Sequence, residues 1–252
     1  MHSGYDRCAP AWHRTMATKR MLDVVGSALG LLLLLPVLAI IAVIIKLDSP
    51  GPIFFRQERV GLGGRPFRIF KFRSMVAGAA RAGTALTIRR DTRVTRSGGL
   101  LRRAKLDELP QLVNVLAGDM SIVGPRPEVP EFMKFYTPDQ QAIICSMRPG
   151  ITDYAAILFR DESSLLDGER DPIDVYRLEI MPTKFAYYER YSREIGMLND
   201  LRIILATVLL LVAGRVPRWL GIEYRPRQSS PRSSPVNVDS SIQSKQIRQG
   251  RT

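Results

Sequence analysis

The stretch VVGSALGLLLLLPVLAIIAVII, residues 24–45, decides the architecture of this chain. It carries no charge over 22 residues, and Pro36 is the one helix-breaking residue in it. At about 1.5 Å per residue, a helix of this length crosses a hydrocarbon core of roughly 30 Å. The run is too long for a secretory signal, and no small-residue cleavage site follows it. We therefore expect a membrane helix over residues 18–48, with a helix buried in a soluble core as the alternative.

Cations flank the apolar run on both sides. They are Arg14, Lys19 and Arg20 before it, and Lys46, Arg56, Arg59 and Arg65 after it. The positive-inside rule therefore favours neither orientation of a straight span. Pro36 removes a backbone hydrogen bond and clashes with the preceding turn, so a kink is expected there. A helix that enters and returns would leave both flanks in the cytoplasm, whereas a straight span that tolerates the proline stays open.

Two short apolar segments follow the membrane run. Residues 52–61 and 66–75 read as strands on either side of the turn 61–64, which predicts a β-hairpin. Alternation along the second strand places Lys71 and Arg73 on one face and Phe70 and Phe72 on the other. The cationic face could contact phosphates, or it could be the solvated side of an edge strand.

An adjacent carboxylate pair, Asp107 and Glu108, lies between a basic run and a short helix. The basic run holds Arg89, Arg90, Arg93, Arg96, Arg102, Arg103 and Lys105, against the single acid Asp91. Residues 109–117 have the apolar spacing of a helix with one buried face, formed by Leu109, Leu112, Val113 and Leu116, and Gly118 stands where helices commonly stop. A helix start favours negative charge, so we expect Asp107 to be ionised and nucleophilic. The alternative is a charge pair that only stabilises the first turn of a solvated helix.

The composition narrows the chemistry. The net charge of +13 over 252 residues indicates an anionic partner, which could be nucleic acid, an acidic membrane or a phosphorylated small molecule. Histidine catalysis is not expected, because His2 and His13 both precede the apolar run. The two cysteines are too few for a disulfide framework or a cysteine-rich zinc site. Magnesium suits the carboxylate pair, since it is usually held by one or two carboxylates together with substrate phosphates.

Several motifs in this order resemble the bacterial sugar transferase family of monotopic polyprenyl-phosphate phosphoglycosyl transferases. They are residues 20–23 (RMLD), 71–75 (KFRSM), 106–112 (LDELPQL), 114–116 (NVL), 118–127 (GDMSIVGPRP) and 148–152 (RPGIT). The resemblance extends from about Thr18 to Ala213, and its central part is highly specific. The helix of this family is re-entrant and broken at a proline, often after a serine. Here the matching proline is Pro36, and Leu35 precedes it.

The resemblance implies a two-step reaction. A carboxylate attacks the β-phosphate of a UDP-sugar and releases UMP, and the phosphosugar then passes to polyprenyl (undecaprenyl) phosphate. By this resemblance Asp107 is the nucleophile and Glu108 is the magnesium-binding or assisting carboxylate. Lys71, Arg102, Arg126 and Arg148 match positions associated with phosphate or nucleotide contacts, and the strand alternation adds Arg73 as a phosphate-binding candidate. Arg102 and Arg148 could instead anchor the fold. The implied location is the bacterial inner membrane, with the catalytic domain facing the cytoplasm, in the first membrane step of exopolysaccharide, capsule, lipopolysaccharide or glycoprotein glycan synthesis.

The remaining segments complete the predicted organisation. Residues 171–193 read as a long helix whose tyrosines pack in the core, and residues 201–213 as an apolar helix too short to span. That short helix lies either at the membrane interface or against the domain. We predict an α+β fold: a mobile N-terminus (1–17), a re-entrant membrane helix (18–48), a mostly helical cytoplasmic catalytic domain with a small β-hairpin and interfacial amphipathic helices (49–224), and a disordered tail (225–252).

Two other functions would explain parts of this pattern. A nucleic-acid-binding protein accounts for the charge, although the apolar run and the lack of aromatics among the basic residues argue against it. A membrane-anchored basic scaffold accounts for the helix but not for the carboxylate pair. We therefore expect no nucleic-acid partner, whereas the sequence leaves the identity of the sugar and the oligomeric state open.

Overall fold

The computed structural model describes residues 9–79, 86–88, 91–167 and 170–223, with side chains from Met16 onward. Its helices are α1 (Ala9–Asp48), α2 (Arg96–Arg103), α3 (Gln111–Ala117), α4 (Pro130–Met133), α5 (Pro138–Cys145), α6 (Tyr154–Leu158), α7 (Glu162–Leu165), α8 (Pro172–Val175), α9 (Met181–Glu194) and α10 (Met197–Ala213). Its strands are β1 (Phe54–Val60), β2 (Pro66–Phe72), β3 (Ser121–Val123) and β4 (Gly150–Thr152). The mixed, helix-rich fold with small sheets agrees with the predicted class. The predicted disordered tail and residues 1–8 of the predicted mobile N-terminus lie outside the described residues, whereas residues 9–17 are helical.

Helix α1 is long, apolar and mostly exposed. It begins at Ala9, earlier than the predicted start at residue 18, and Pro36 lies within it. The segment Met16–Asp48 has a mean hydropathy of 3.1 in its most apolar window, and only 11% of that window is buried. A core helix of a soluble protein would be mostly buried, so the exposed apolar surface fits membrane association.

One stripe of α1 packs against the rest of the chain in two places, around residues 19–27 and 41–45. Its members recur at helical spacing and comprise Lys19, Asp23, Ser27, Ile41 and Ile45 as buried residues. Near the first end, Arg20 donates to the carbonyl oxygen of Val115 at 2.6 Å. Near the other end, Arg73 donates to the carbonyl of Ser49 at 2.6 Å. Both ends of the apolar helix therefore contact the same folded domain.

The predicted hairpin is confirmed, with slightly shorter strands. Strands β1 and β2 pair antiparallel from Phe54 opposite Phe72 to Val60 opposite Pro66. A second, unpredicted pair joins β3 and β4 in parallel. The two strands approach closely at Gly124 and Gly150, where a Cβ added to Gly150 would lie 2.1 Å from the backbone nitrogen of Gly124. A side chain would not fit at Gly150. The close contact between the two glycines brings the 118–127 and 148–152 motifs together.

The short helix after the carboxylate pair begins later than predicted and buries a different face. Leu106–Glu108 form a 3₁₀ turn, and α3 itself starts at Gln111. The predicted stop is confirmed, since Gly118 adopts a left-handed conformation with φ of 92°. The predicted buried face is wrong: Gln111, Asn114 and Val115 are buried, whereas Val113 and Leu116 are exposed. The apolar spacing does not predict the buried face because α3 packs beside α1, whose own apolar surface is largely exposed, and not against a purely apolar core.

The predicted long helix over 171–193 is present as α8 and α9, joined by a π turn at Tyr176–Ile180. Pro182 explains the turn. It has no backbone N–H to donate to the carbonyl four residues earlier, so the helical hydrogen-bond pattern changes at this point. Tyr176, Tyr188 and Tyr191 are buried as predicted. Helix α10 combines both interpretations of the apolar segment: Ile203, Ala206 and Leu210 are buried against the domain, while the opposite apolar side is exposed.

Candidate active site

The carboxylate pair lies at a tight corner between α2 and α3. Asp107 and Glu108 are both buried, with exposed fractions of 7% and 8%. Lys105, which leads into the 3₁₀ turn, has φ of 58° and is the one non-glycine residue with positive φ in the described part of the chain. Such a conformation costs free energy in a lysine and is retained where surrounding structure fixes it. The corner therefore holds two buried carboxylates in place.

Glu108 is held by two cations from separate segments. Its Oε1 accepts from the Lys71 Nζ at 2.8 Å and from the Arg126 guanidinium at 2.5 Å, and its Oε2 accepts a second Arg126 hydrogen bond at 3.2 Å. Burial opposes ionisation, but Arg126 and Lys71 together hold the pKa of Glu108 well below its usual value. In turn, burial lowers the pKa of Lys71 to about 8 in spite of the attraction of Glu108. Glu108 is therefore an ionised, fixed group.

Asp107 is the less engaged carboxylate. Among the residues that the structure describes, no hydrogen-bond donor or cation lies within bonding distance of its side chain. Burial raises the pKa of Asp107, and the neighbouring Glu108 adds to that, while Lys71, Arg102 and Lys105 act in the opposite direction. The helix start was expected to keep Asp107 ionised, whereas in the structure burial and Glu108 raise its pKa, and the nearby cations Lys71, Arg102 and Lys105 offset only part of that rise. In its ionised form, a carboxylate with few partners is a competent nucleophile.

The carboxylates at this corner could supply some of the oxygen ligands of a magnesium ion. A carboxylate has about four lone-pair sites, and Glu108 uses three of them for Lys71 and Arg126. The described residues contain no cluster of three or more histidine, cysteine or carboxylate side chains suited to a metal. Asp107 and the remaining lone pair of Glu108 supply two oxygens, which is the number that magnesium commonly takes from protein when phosphates provide the rest.

Arg126 is positioned by a residue that the sequence analysis missed. The backbone N–H of Arg126 donates to Asp153 Oδ2 at 3.1 Å, while Asp153 also caps the start of α6 through the N–H of Ala156. Burial raises the pKa of Asp153 to about 6. The only sequence signal was its place directly after the 148–152 motif. Asp153 thus fixes the loop that aims Arg126 at Glu108.

Lys71 is positioned in a similar way by Asn114, which was part of a quoted motif but had no predicted role. Asn114 Oδ1 accepts from the backbone N–H of Phe70 at 2.8 Å, and its Nδ2 donates to the carbonyl of Arg68 at 2.9 Å. These bonds join the edge of β2 to α3. The residue next to Lys71 is therefore tied to the helix that follows the carboxylate pair.

The other predicted phosphate-binding residues divide into two groups. The charge of Arg102, in the last turn of α2, acts on Asp107 without an ion pair within 4 Å among the described residues. Arg73 is buried and holds the end of α1, donating to carbonyls of Ile45, Ser49 and Pro50. Arg148 donates to the carbonyl of Gly118 at 3.0 Å, the anchoring role that was the alternative. Arg89 and Arg90 of the basic run lie outside the described residues.

Comparisons with known proteins show the family to which the chain belongs. The family described as bacterial sugar transferase matches residues 14–214. A UDP-glucose:undecaprenyl-phosphate glucose-1-phosphate transferase of Caulobacter vibrioides is 42% identical over 192 residues, covering 75% of this chain and 68% of that protein. Exopolysaccharide production protein PSS of Rhizobium leguminosarum bv. phaseoli is 36% identical over 209 residues, covering 77% of this chain and 94% of that protein.

A third relative is much longer than the matched part. It is the UDP-N-acetylgalactosamine-undecaprenyl-phosphate N-acetylgalactosaminephosphotransferase of Aeromonas hydrophila, 35% identical over 198 residues, which cover 78% of this chain but 44% of that protein. The chain therefore spans less than half the length of this relative. The shared part includes the segments that build the site described above.

Proposed function

Because the chain belongs to the bacterial sugar transferase family, we propose that it moves a sugar-1-phosphate from a UDP-sugar to a polyprenyl phosphate and releases UMP. The similar proteins are named for glucose or N-acetylgalactosamine transfer to undecaprenyl phosphate. Exopolysaccharide assembly is the process named for one of them. The enzyme is favoured over a nucleic-acid-binding protein or a basic scaffold, because only the enzyme gives the carboxylate pair a role.

The reaction proceeds in two displacements at one phosphorus atom. An Asp107 carboxylate oxygen attacks the sugar-linked phosphorus of the UDP-sugar, an O–P bond forms, and the bond to the leaving UMP oxygen breaks. A phosphate oxygen of the polyprenyl phosphate then attacks the same phosphorus and releases the Asp107 oxygen. Splitting the transfer through a covalent intermediate lets two bulky substrates react in turn. The products are UMP and a polyprenyl-diphosphate sugar.

The observation that carries this assignment is the difference in hydrogen bonding between the two carboxylates. Glu108 accepts three hydrogen bonds from Lys71 and Arg126, whereas Asp107 accepts none from the described residues. Lys71 and Arg126 bind Glu108, and the same two cations would attract the phosphate oxygens of a UDP-sugar placed beside it. Arginine suits such a site because its planar fork pairs with phosphate in a bidentate manner.

Magnesium completes the proposal. The remaining lone pair of Glu108 and the carboxylate of Asp107 would hold it together with the substrate phosphates. When bound, it offsets the negative charge gathered on the diphosphate. Arg102 and Lys105, whose charges act on Asp107, assist in the same sense.

We place the catalytic domain on the cytoplasmic side of the bacterial inner membrane, with α1 entering and leaving on that side. The support is that residues at both ends of the apolar helix bind the same domain: Lys19 pairs with Asp200 at 2.6 Å, and Asp48 accepts from Ser97 at 2.8 Å. A straight span would carry these contacts to opposite sides of the bilayer. UDP-sugars are soluble, so the site must face the compartment that holds them.

The activity is tested with detergent-solubilised protein, a panel of UDP-sugars and polyprenyl phosphate, with UMP as the measured product. We expect UMP from at least one UDP-sugar, loss of that signal with EDTA, and recovery on adding Mg²⁺. Asp107→Asn should reduce UMP release to the background, a drop of at least about 10³-fold for loss of a nucleophile. A folded protein that releases no UMP from any sugar, or an active Asp107→Asn variant, contradicts the proposal.

A further inference from the structure

A cavity of about 600 Å³ lies outside the carboxylate site, where α9 ends and α10 begins. We call it the interfacial pocket and define it by Tyr154, Arg190, Glu194, Asn199, Arg202 and Trp219. Within the described residues, none of these side chains shares a hydrogen bond or ion pair with Asp107, Glu108, Lys71 or Arg126. The pocket is therefore not part of the hydrogen-bonded group around the two carboxylates.

The charge of the pocket is positive after its internal pairs are counted. Arg190 Nε donates to Glu194 Oε1 at 3.0 Å, and the Arg190 guanidinium lies over the Tyr154 ring at 4.4 Å. Tyr154 donates to the other Glu194 oxygen at 2.6 Å, so the single carboxylate is fully engaged. Arg202 has no ion-pair partner within 4 Å in the described part of the chain, although its charge acts on Glu194. One cation is left over, which suits an anion.

The pocket also lies near the start of the apolar run of α1 and beside an exposed apolar face. The Lys19 ammonium, just before the apolar run, binds Asp200 in the first turn of α10 at 2.6 Å and the Val123 carbonyl at 2.8 Å. Helix α10 then exposes apolar side chains along one side: Leu198, Leu201, Leu205, Val208 and Val212. Trp219, at the pocket rim, is 53% exposed, and tryptophan favours the boundary between headgroups and acyl chains.

We propose that the interfacial pocket binds the phosphate headgroup of an acidic phospholipid, with Arg202 and Arg190 facing the phosphate and Trp219 lying beside the acyl chains. Phosphate chemistry is shared by the polyprenyl phosphate acceptor. The phospholipid is favoured because a phosphate in this pocket is held by residues that have no contact with the carboxylate site. The anionic inner leaflet supplies such lipids next to an apolar helix face.

Fluorescence quenching tests this proposal in the full chain. Trp12→Phe leaves Trp219 as the sole tryptophan, and the protein is reconstituted into phosphatidylcholine vesicles that contain brominated phosphatidylglycerol or an equal amount of brominated phosphatidylcholine. We expect stronger quenching by the brominated phosphatidylglycerol. Arg202→Gln should weaken the preference about fivefold, the effect of one cation near an anionic surface, and Arg202→Lys should retain most of it.

The matched control is Arg177→Gln, which removes the same charge from an exposed arginine outside the pocket and should keep the preference. Equal quenching by the two lipids, or the same loss in Arg177→Gln as in Arg202→Gln, overturns the proposal. So does displacement of the brominated phosphatidylglycerol by stoichiometric polyprenyl phosphate, which would make the pocket an acceptor site. Loss of the preference in millimolar inorganic phosphate would identify a soluble-anion site and also overturn it.

Discussion

At the scale of single residues, two neighbouring carboxylates have different environments and therefore different chemistry. Glu108 is neutralised by Lys71 and Arg126, whereas Asp107 keeps its oxygens free of partners among the described residues. The sequence predicted the pair because acids next to cations indicate phosphate chemistry, whereas Lys71 and Arg126 were predicted from the family resemblance. It could not predict Asp153, whose role depends on a backbone N–H that only the fold brings to it.

The pH dependence of activity follows from Lys71. Burial lowers its pKa to about 8, so the ammonium that holds Glu108 is present below that pH and lost above it. We expect kcat to fall by up to about tenfold per unit as the pH rises through about 8. In Lys71→Arg the cation stays charged throughout this range. The decline of the remaining activity with rising pH should therefore begin at a higher pH than in the unchanged protein. The measurement is UMP release from pH 6 to 10.

The control for this profile is Lys134→Arg, at an exposed lysine, which should leave the alkaline limb in place. An unchanged limb in Lys71→Arg would assign the titration to another group and remove Lys71 from the account.

At the scale of elements, helix α2, which carries Arg102, is positioned by its contact with the residues that follow the hairpin. Gly98 lies so close to this segment that an added Cβ would be 2.0 Å from the Ser74 carbonyl oxygen. The sequence predicted the hairpin, since alternation and a glycine turn are local signals. It misjudged the buried face of α3 and missed the β3–β4 pair, because both depend on partners far along the chain.

Adjacent glycines in α2 provide a matched test of that contact. Gly98→Ala should destabilise the protein by about 1–3 kcal/mol through overpacking and should lower UMP release by shifting Arg102. At Gly99 the nearest atom to an added Cβ is 3.9 Å away, so Gly99→Ala should be neutral or stabilising by up to about 1 kcal/mol. Thermal unfolding in detergent measures both variants. Equal stability of the two variants would show that α2 is not seated by this contact.

At the scale of the whole molecule, the apolar helix is an integral part of the fold instead of a detachable anchor. The first part of its buried stripe is polar. Lys19 forms an ion pair with Asp200, and Asp23 accepts a hydrogen bond from Ser121 inside the domain. The sequence predicted a membrane helix from length and hydropathy. It could not show that the same helix packs on the catalytic domain, since that depends on buried polar contacts more than 90 residues apart in the chain.

The topology is tested by labelling from one side of the membrane. Single cysteines at Ala17 and Glu58, both exposed, are introduced into a chain whose Cys8 and Cys145 are replaced by serine. A membrane-impermeant maleimide should label both positions in inside-out vesicles and neither in right-side-out vesicles. Labelling of the two positions from opposite sides would establish a straight span and contradict the re-entrant arrangement.

The central claim, that Asp107 carries the phosphosugar, is tested most directly by mass spectrometry of protein incubated with its UDP-sugar and Mg²⁺ without polyprenyl phosphate. The account predicts UMP release up to the amount of enzyme, one added sugar phosphate on the peptide that contains Asp107, and loss of the adduct when polyprenyl phosphate is supplied. Asp107→Asn should carry no adduct. UMP release that strictly requires polyprenyl phosphate, with Asp107 unmodified, would contradict the account and indicate direct transfer between the two substrates.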